Sequence, residues 1–192
     1  MIQPAFLTTP FTILCDVAEQ MPWPFTGLRA DSREGYRPLL VQQRKVFLGW
    51  HQGDYTLEGA ERPEWRDAPA DAPGSRWRIV LERKSLDDLY GTILGRRVQF
   101  EQELQNLNEA EFAAVIVEGD WEAIRTHVMH HWTSQRLTDR EIANRRKTVV
   151  RSIIAWLVRY PMVHWLPMPS REAAMIMAFR LLERWWKENL EI

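Results

Sequence analysis

Two residues of opposite charge, Glu82 and Lys84, stand two positions apart in a run of β-prone residues. Side chains two apart on a strand point to the same face of a sheet, so the pattern predicts that this carboxylate and this ammonium share a face while Arg83 points to the other. Asp54 follows Gly53 at the start of a preceding short strand. A hairpin between the two strands would bring Asp54 near Glu82.

Two carboxylates placed this close repel each other unless a positive charge lies between them. Mg²⁺ meets this need, because it takes oxygen ligands, keeps several waters and is usually held by one or two carboxylates plus substrate phosphate. Lys84 beside it could orient or help deprotonate a metal-bound water, or neutralise charge developing on phosphorus. These parts suit hydrolysis of a phosphodiester, but an exposed, salt-bridged strand carries the same short string in unrelated proteins.

The elements that must position these residues follow from hydrophobic periodicity and turn residues. We predict strands at 11–15, 46–50, 55–57, 77–84, 112–117 and 162–166, with a long exposed loop at 58–75. Helices are predicted at 85–95, from about 96 to 107, at 121–131, at 138–160 and from 170 onward, three of them opening at the capping residues Ser85, Thr138 and Ser170. This order predicts an α/β fold in which helices flank a mixed β-sheet.

Composition places the chain among ordinary globular proteins. Its 192 residues are 45% apolar and 27% charged, with 25 basic and 26 acidic residues. The net charge of −1 by itself predicts neither a protein that binds nucleic acid nor one that binds acidic partners. Positive charge is nevertheless concentrated in residues 121–160, which carry eight Lys or Arg and three acidic residues. The longest apolar run, Ala173 to Phe179, is too short to span a membrane, and a single cysteine excludes an internal disulfide. We expect a cytoplasmic protein, encoded by a bacterium or a phage.

Several segments resemble the nuclease domain of the XPF family, whose motif is Glu-Arg-Lys followed by three residues and Asp. They are Gly53-Asp-Tyr-Thr-Leu57, Leu81-Glu-Arg-Lys-Ser-Leu-Asp-Asp-Leu89, Gly95-Arg96 with Phe100 and Leu104, and Val115-Ile-Val-Glu-Gly119. Asp16-Val-Ala-Glu-Gln-Met-Pro-Trp-Pro-Phe25 resembles the Glu-Gln-x-Pro first-strand motif of stand-alone phage and bacterial relatives, with Ala18 in place of an arginine. Asp31-Ser-Arg-Glu34 also fits the family string, but its flanking residues do not, so we prefer Asp16 and Glu19. The resemblance covers about residues 12–119 and, more loosely, the C-terminal helices.

The resemblance implies a restriction-endonuclease-like core, a Mg²⁺ or Mn²⁺ ion, and cleavage of DNA near branches or single-strand junctions, as in DNA repair and recombination. It implies that Asp54 and Glu82 are metal ligands and that Lys84 positions water or stabilises charge. The residues that would complete the catalytic site are Asp16, Glu19, Arg83 and Asp88. For Asp88, helix capping as the fourth residue of Ser85-Leu-Asp-Asp88 is an equally good explanation.

We interpret residues 1–192 as a single nuclease domain with a core at about 11–119 and a C-terminal helical, dimerisation part at about 120–192. No Gly-x-Gly hairpins follow Tyr160, so the helix-hairpin-helix domain of archaeal and eukaryotic relatives is not expected. DNA would then be bound by basic side chains, or these belong to a solvated helix face. The candidates are Arg96, Arg97, Arg136, Arg140, Arg145, Arg146, Lys147 and Arg151; Arg145 and Arg146 interrupt an apolar stripe, which favours binding.

A homodimer is also expected, because the long helix and the last helix carry large apolar residues that one small sheet would not cover, namely Trp156, Phe179, Leu182, Trp185 and Trp186.

The sequence leaves alternative functions open. The chain could be a pseudo-nuclease that serves as a DNA-binding partner, or a Holliday-junction resolvase or restriction-type nuclease with the same core. It could also be an assembly module whose C-terminal helices bind a larger replication or recombination protein.

Overall fold

A computed structural model of the protein describes residues 6–65, 67–69, 71–130, 132, 135 and 137–191. Its centre is a six-stranded mixed sheet of order β2-β1-β3-β4-β5-β6. The strands are β1 (Leu7–Asp16), β2 (Leu39–Val46), β3 (Tyr55–Leu57), β4 (Ile79–Lys84), β5 (Phe112–Val117) and β6 (Val163–Pro167). Strand β3 runs antiparallel to β1 and β4, whereas β1 pairs with β2, and β5 with both β4 and β6, in parallel. This is the mixed sheet that the sequence predicts.

Helices flank the sheet, as expected for the restriction-endonuclease-like class. They are α1 (Leu86–Gly95), α2 (Arg97–Leu107), α3 (Trp121–Thr126), α4 (Asp139–Arg159) and α5 (Arg171–Asn189). The predicted caps are present: the side chains of Ser85, Thr138 and Ser170 each accept a hydrogen bond from a backbone N–H in the first turn of α1, α4 and α5. Thr138 and Glu141 complete the capping box of α4. None of the helices that the structure describes is long and apolar enough to cross a membrane.

Each face of the sheet carries its own hydrophobic core. On one face, residues of α1, α2 and α4 pack with Val115 and Val117 of β5. On the other face, α5 packs on Ile13, Ile79 and Ile116. Residues of the C-terminal part thus enter both cores, and β6 is the edge strand of the same sheet. The segment after residue 119 is part of the layer structure that supports the site.

The second strand lies earlier than the predicted 46–50. It spans Leu39–Val46 at the sheet edge, where only one neighbour, β1, must be satisfied, so its side chains are mostly exposed and its sequence alternates weakly. The segment that was predicted as strand is a loop in which Leu48 is fully buried and Trp50 is exposed.

Most of the large apolar residues assigned to a dimer interface are covered within the chain, and Trp186 is half-buried. Phe179 and Leu182 are fully buried in the core under α5, and Trp185 is 9% exposed. Trp156 of α4 stacks on Trp165 of β6, with ring centroids 6.1 Å apart. The prediction that these side chains form an exposed interface is wrong for those that are buried, because α4 and α5 each pack them against one face of the six-stranded sheet.

Candidate active site

Asp54 reaches β4 through the short pairing of β3 with β4. Its backbone N–H donates to the carbonyl of Leu81 over 3.0 Å, and its Oδ2 accepts from the backbone N–H of Arg83 over 2.8 Å. Gly53 permits this approach: it adopts φ +76°, and a Cβ there would lie 2.4 Å from a methyl carbon of Val80. A side chain at position 53 would therefore push the Asp54 carboxylate away from the strand that carries Glu82.

Glu82 and Lys84 share one face of β4, as the pleat requires. Lys84 Nζ lies 2.5 Å from Glu82 Oε1 and 3.0 Å from Asp88 Oδ2. It also lies 4.9 Å from the ring centroid of Phe100, and both Glu82 and Lys84 are buried. The other oxygen of Glu82, Oε2, is buried and has no hydrogen-bond partner among the described residues. The carboxyl group of Glu103 lies within hydrogen-bonding reach of Glu82, so a proton or a cation must be shared between these two acidic groups.

Negative charge exceeds positive charge around Lys84. Burial raises the pKa of Asp54 well above its ordinary value, and the neighbouring Glu82 adds to this. Burial and Glu82 raise the pKa of Glu103, on α2, in the same way. Burial alone would lower the pKa of Lys84, but the surrounding carboxylates outweigh it and raise that pKa well above its ordinary value. The ammonium group of Lys84 therefore faces several carboxyl groups, and its single positive charge only partly balances the negative charge that they would carry when ionised.

Asp54 and Glu82 fit a hard divalent cation that is shared with a substrate. Within the described ranges, no three His, Cys, Asp or Glu side chains form a complete cage for a metal ion. Mg²⁺ does not need such a cage, since one or two carboxylates, waters and a phosphate commonly hold it. The partnerless oxygen of Glu82 and the mutual repulsion of the carboxylates are the features that such an ion would relieve.

Arg83 lies at the centre of a second charged cluster. Its guanidinium donates to Glu118 over 2.7 and 2.9 Å and to Glu19 over 3.3 Å. Glu118 also accepts from Trp23 Nε1 and from Arg171, both at 2.8 Å, and Arg171 donates to the carbonyls of Met21 and Pro22. This cluster fastens the segment after β1 to β4, β5 and α5.

We expect Glu118→Gln to lower the free energy of unfolding by about 3 kcal/mol, because it leaves the nearly buried guanidinium of Arg83 short of a charged partner. Burial alone would raise the pKa of Glu118, but Arg83 outweighs it and holds that pKa below its ordinary value. The contribution is therefore present above the unfolded-state pKa and disappears as the pH falls through the folded-state pKa. Urea unfolding at pH 7 and at a pH well below 4, past the folded-state pKa of Glu118, measures both effects; an equal deficit at the two pH values would contradict this assignment.

Asp16 and Asp88 have well-defined local partners. Asp16 is buried and accepts hydrogen bonds from the backbone N–H groups of Ala18 over 2.7 Å and Leu48 over 2.8 Å. It ties the end of β1 to the loop before β3. Asp88 pairs with Lys84 and, over 2.7 Å, with Arg96. Burial alone would raise the pKa of Asp88, but Lys84 and then Arg96 lower it below its ordinary value, so the side chain positions Lys84 as a carboxylate.

An open cleft of about 750 Å³ lies over the carboxylates and Lys84. Its lining includes six of the predicted site residues, Glu19, Asp54, Glu82, Arg83, Lys84 and Asp88, and one predicted DNA-binding residue, Arg96. Asp16 is not in this lining. Sequence reasoning did not single out Glu103, Gln99 and Trp50, which also line the cleft. Glu103 follows Phe100 and precedes Leu104 in the helical stripe of α2, so its position beside the apolar face was the available signal.

The remaining predicted DNA-binding residues differ in their contacts and exposure. Arg97 bonds to Glu101 and Ser152 and lies 4.9 Å from the ring of Trp156. Arg146 donates to the carbonyls of Thr126 and His127, at the end of α3. These contacts within the fold account for its place in the apolar stripe of α4. Of the predicted residues on α4, Arg140, Lys147 and Arg151 are exposed; Arg145 lies over the ring of Trp132, 5.1 Å from its centroid, and Arg136 falls outside the described residues.

Comparison with known proteins shows which fold and family the chain shares. No curated protein matches the chain significantly. Among solved structures, XPF from Aeropyrum pernix in complex with DNA is 18% identical with a TM-score of 0.51, covering 95% of this chain and 68% of that one. A second structure of XPF from Aeropyrum pernix is 17% identical with a TM-score of 0.49, covering 90% and 65%. The chain thus spans about two thirds of those proteins.

The ERCC4 domain model matches residues 46–178, which include β3, β4, α1, α2, β5, α4 and β6 together with Asp54, Glu82 and Lys84. The match extends well beyond residue 119, in agreement with the single sheet that joins both parts of the chain. The chain shares the fold of XPF from Aeropyrum pernix, and since the family model matches more than half of its length, it belongs to the ERCC4 domain family.

Proposed function

We propose that the protein is a divalent-metal-dependent DNA endonuclease that hydrolyses phosphodiester bonds at branched DNA or at junctions of single and double strands. The observation that supports this most directly is the group of Asp54, Glu82 and Lys84 in an open cleft, with a buried Glu82 oxygen that lacks a partner among the described residues. Membership of the ERCC4 domain family and the fold shared with a DNA-bound XPF support the same substrate class.

Asp54 and Glu82 would hold Mg²⁺ or Mn²⁺ through their carboxylate oxygens. When bound, such an ion would lower the pKa of a water and neutralise charge on the phosphoryl oxygens. Lys84 is protonated, and its ammonium would stabilise the charge that develops on the phosphate in the transition state. Asp88 holds Lys84 in place from α1, and the Arg83 cluster keeps β4 and the segment after β1 in a fixed relation.

Nicking by the purified chain separates this proposal from the two alternatives without catalysis. We expect a supercoiled plasmid or a flapped oligonucleotide to be cut with Mg²⁺ or Mn²⁺ and to stay intact with EDTA. Cutting that persists in EDTA would refute the metal-dependent mechanism. Binding of DNA without any cutting would favour the pseudo-nuclease, and neither binding nor cutting would favour the assembly module. Comparing flaps, forks and four-way junctions separates a flap-type nuclease from a junction resolvase.

Flapped or forked DNA should be cut faster than matched duplex, because an opened junction costs less free energy to bend into the cleft than a continuous helix.

Affinity for plain duplex should be weak and steeply salt-dependent, since only some of the predicted basic residues that the structure describes are exposed. Arg140, Lys147 and Arg151 are exposed and recur along one face of α4. Replacing all three with Ala should flatten the salt dependence of binding by up to about three units of log–log slope. Arg184→Ala, which removes one exposed basic side chain of α5, is the control. An unchanged slope in the triple variant would show that these three residues of α4 face solvent and do not contact DNA.

A homodimer remains part of the proposal, but through a different surface of α4. Ile154, Leu157 and Val158 recur at helical spacing and are 54%, 40% and 81% exposed. Exposed apolar patches of this kind usually mark an interface. Light scattering should give twice the chain mass of 22.7 kDa, and Ile154→Asp with Val158→Asp should reduce it to the monomer mass. Val98→Asp, at an 82% exposed valine of α2, should leave the mass unchanged. A monomer in the unmodified protein would refute the dimer.

A further inference from the structure

Trp50 lines the catalytic cleft and yet presents most of its ring to solvent. It is 61% exposed, and Phe47, which is 48% exposed, meets it edge-on with ring centroids 5.5 Å apart and an interplanar angle of 74°. We refer to Trp50 and Phe47 as the aromatic step. Such large rings are usually buried in a protein of this size, so a solvent-facing pair beside the cleft requires an explanation.

The loop that carries the aromatic step is firmly attached to the fold. Between the two rings, Leu48 is fully buried; its N–H donates to Asp16 Oδ2 over 2.8 Å, and its carbonyl accepts from Trp77 Nε1 over 2.9 Å. After Trp50, the carbonyl of His51 accepts from Asn106 Nδ2 over 3.3 Å. The side chain of Gln52 bonds to the carbonyl of Gly74 and the N–H of Arg76, both over 2.8 Å.

His51 adopts φ +57°, a left-handed conformation that costs energy in a residue with a Cβ. The fold thus holds a strained residue directly after Trp50, in a loop anchored on both sides. Exposure of the rings follows from this fixed backbone path and not from a loose loop. A surface held in place before binding loses little conformational freedom when a flat ligand stacks on it.

We propose that the aromatic step stacks on an unpaired nucleobase of the strand that enters the cleft, and that this contact selects junctions over continuous duplex; the proposal rests on the nuclease function above. Every nucleobase offers a flat face, and stacking on an aromatic side chain does not require a particular sequence. In matched duplex both faces of a base are covered by its neighbours. Only a flap, fork or gap presents a free face next to the scissile phosphate.

The surroundings of the aromatic step favour a nucleobase over a protein partner. Trp50 shares the cleft lining with Asp54 and Glu82, so a base on its ring would lie in the same cleft as the phosphodiester to be cut. Arg96, Gln20 and Gln99 line the same cleft and can meet phosphate or base edges. Two rings are also much smaller than the roughly 800 Å² that each side of a stable protein interface buries.

The test compares Trp50→Ala and Trp50→Phe with Trp121→Ala, which removes an exposed tryptophan that does not line the cleft. The probe is a flapped duplex with 2-aminopurine at the first unpaired position, bound in EDTA so that no cutting occurs. We expect the unmodified protein and Trp121→Ala to quench the 2-aminopurine fluorescence. Trp50→Ala should lose the quenching and bind the flap about ten-fold more weakly, with unchanged affinity for matched duplex, whereas Trp50→Phe should keep most of both signals.

With metal present, kcat/KM for the flap should fall about ten-fold in Trp50→Ala, while nicking of matched duplex should not change. Equal losses on flap and duplex would overturn the proposal. No loss on either substrate would also overturn it, and would indicate that the aromatic step contacts a protein partner instead of DNA. Quenching that depends on Trp50 in a protein that never cuts would support base stacking and refute the nuclease function. If Trp50→Ala cut flaps as fast as the unmodified protein, the nuclease function would be supported and base stacking by Trp50 refuted.

Discussion

Asp54→Asn and Glu82→Ala are each expected to reduce DNA cleavage about a thousand-fold or more while leaving the fold intact. Each change removes a carboxylate that would hold the divalent ion, and the stabilisation that such an ion gives to a phosphoryl transition state is several kcal/mol. Single-turnover cleavage of a flapped substrate measures the loss, with circular dichroism to confirm folding. Glu122→Gln is the control, because Glu122 is exposed, pairs with Arg125 and does not line the cleft.

The same variants should separate catalysis from stability. Burial and the neighbouring Glu82 oppose the ionisation of Asp54, so the uncharged Asn should raise the melting temperature of the metal-free protein or leave it unchanged. The Asn oxygen can still accept the hydrogen bond from the backbone N–H of Arg83. Added Mg²⁺ should raise the melting temperature of the unmodified protein more than that of Asp54→Asn. A variant that is inactive and also unfolded would remove the support for a catalytic role of Asp54.

Lys84→Ala should also slow cleavage, by about a hundred-fold or more, but without loss of the divalent ion. The ammonium is placed to stabilise charge on the reacting phosphate, and a single such group commonly contributes this much. It also opposes a nearby cation, so its removal should leave metal affinity unchanged or increase it. Calorimetric titration with Mn²⁺ measures the affinity directly. If the variant no longer bound metal, Lys84 would be a structural residue and not a catalytic one.

Metal should stabilise Lys84→Ala more than it stabilises the unmodified protein. Without Lys84, the buried carboxylate of Glu82 loses the partner that lies 2.5 Å from its Oε1, and a buried charge without a partner destabilises the fold. We therefore expect a lower melting temperature in EDTA and a larger increase on adding Mn²⁺. Arg184→Ala, which alters an exposed pair on α5, serves as the control. A melting temperature that metal does not change would contradict this account.

The local parts of the site could be predicted from the sequence because they depend on near neighbours in the chain. Glu82 and Lys84 share a face because a strand alternates its side chains, and Ser85 caps α1 because its hydroxyl accepts from the N–H of Asp88. The pairing that brings Asp54 to β4 was also predictable, because Gly53 and Asp54 come directly before β3, and β3 and β4 are consecutive strands that can pair as a hairpin. The mixed sheet with flanking helices follows from the order of these elements, and the structure confirms it.

Only the tertiary structure decided which distant residues meet. Glu103 joins Glu82 because α2 also places Phe100 beside Lys84, 4.9 Å from its Nζ, and Arg171 meets Glu118, 53 residues earlier, because α5 covers the other face of the sheet. Arg146 donates to the carbonyl of His127 at the end of α3, and Phe179 and Leu182 are buried because α5 packs on the sheet; the sequence pattern revealed neither contact. Hydrophobic periodicity determines which side of an element is buried, but not which element covers it. Contacts between elements depend on how whole faces pack together, and that information is spread over the entire chain.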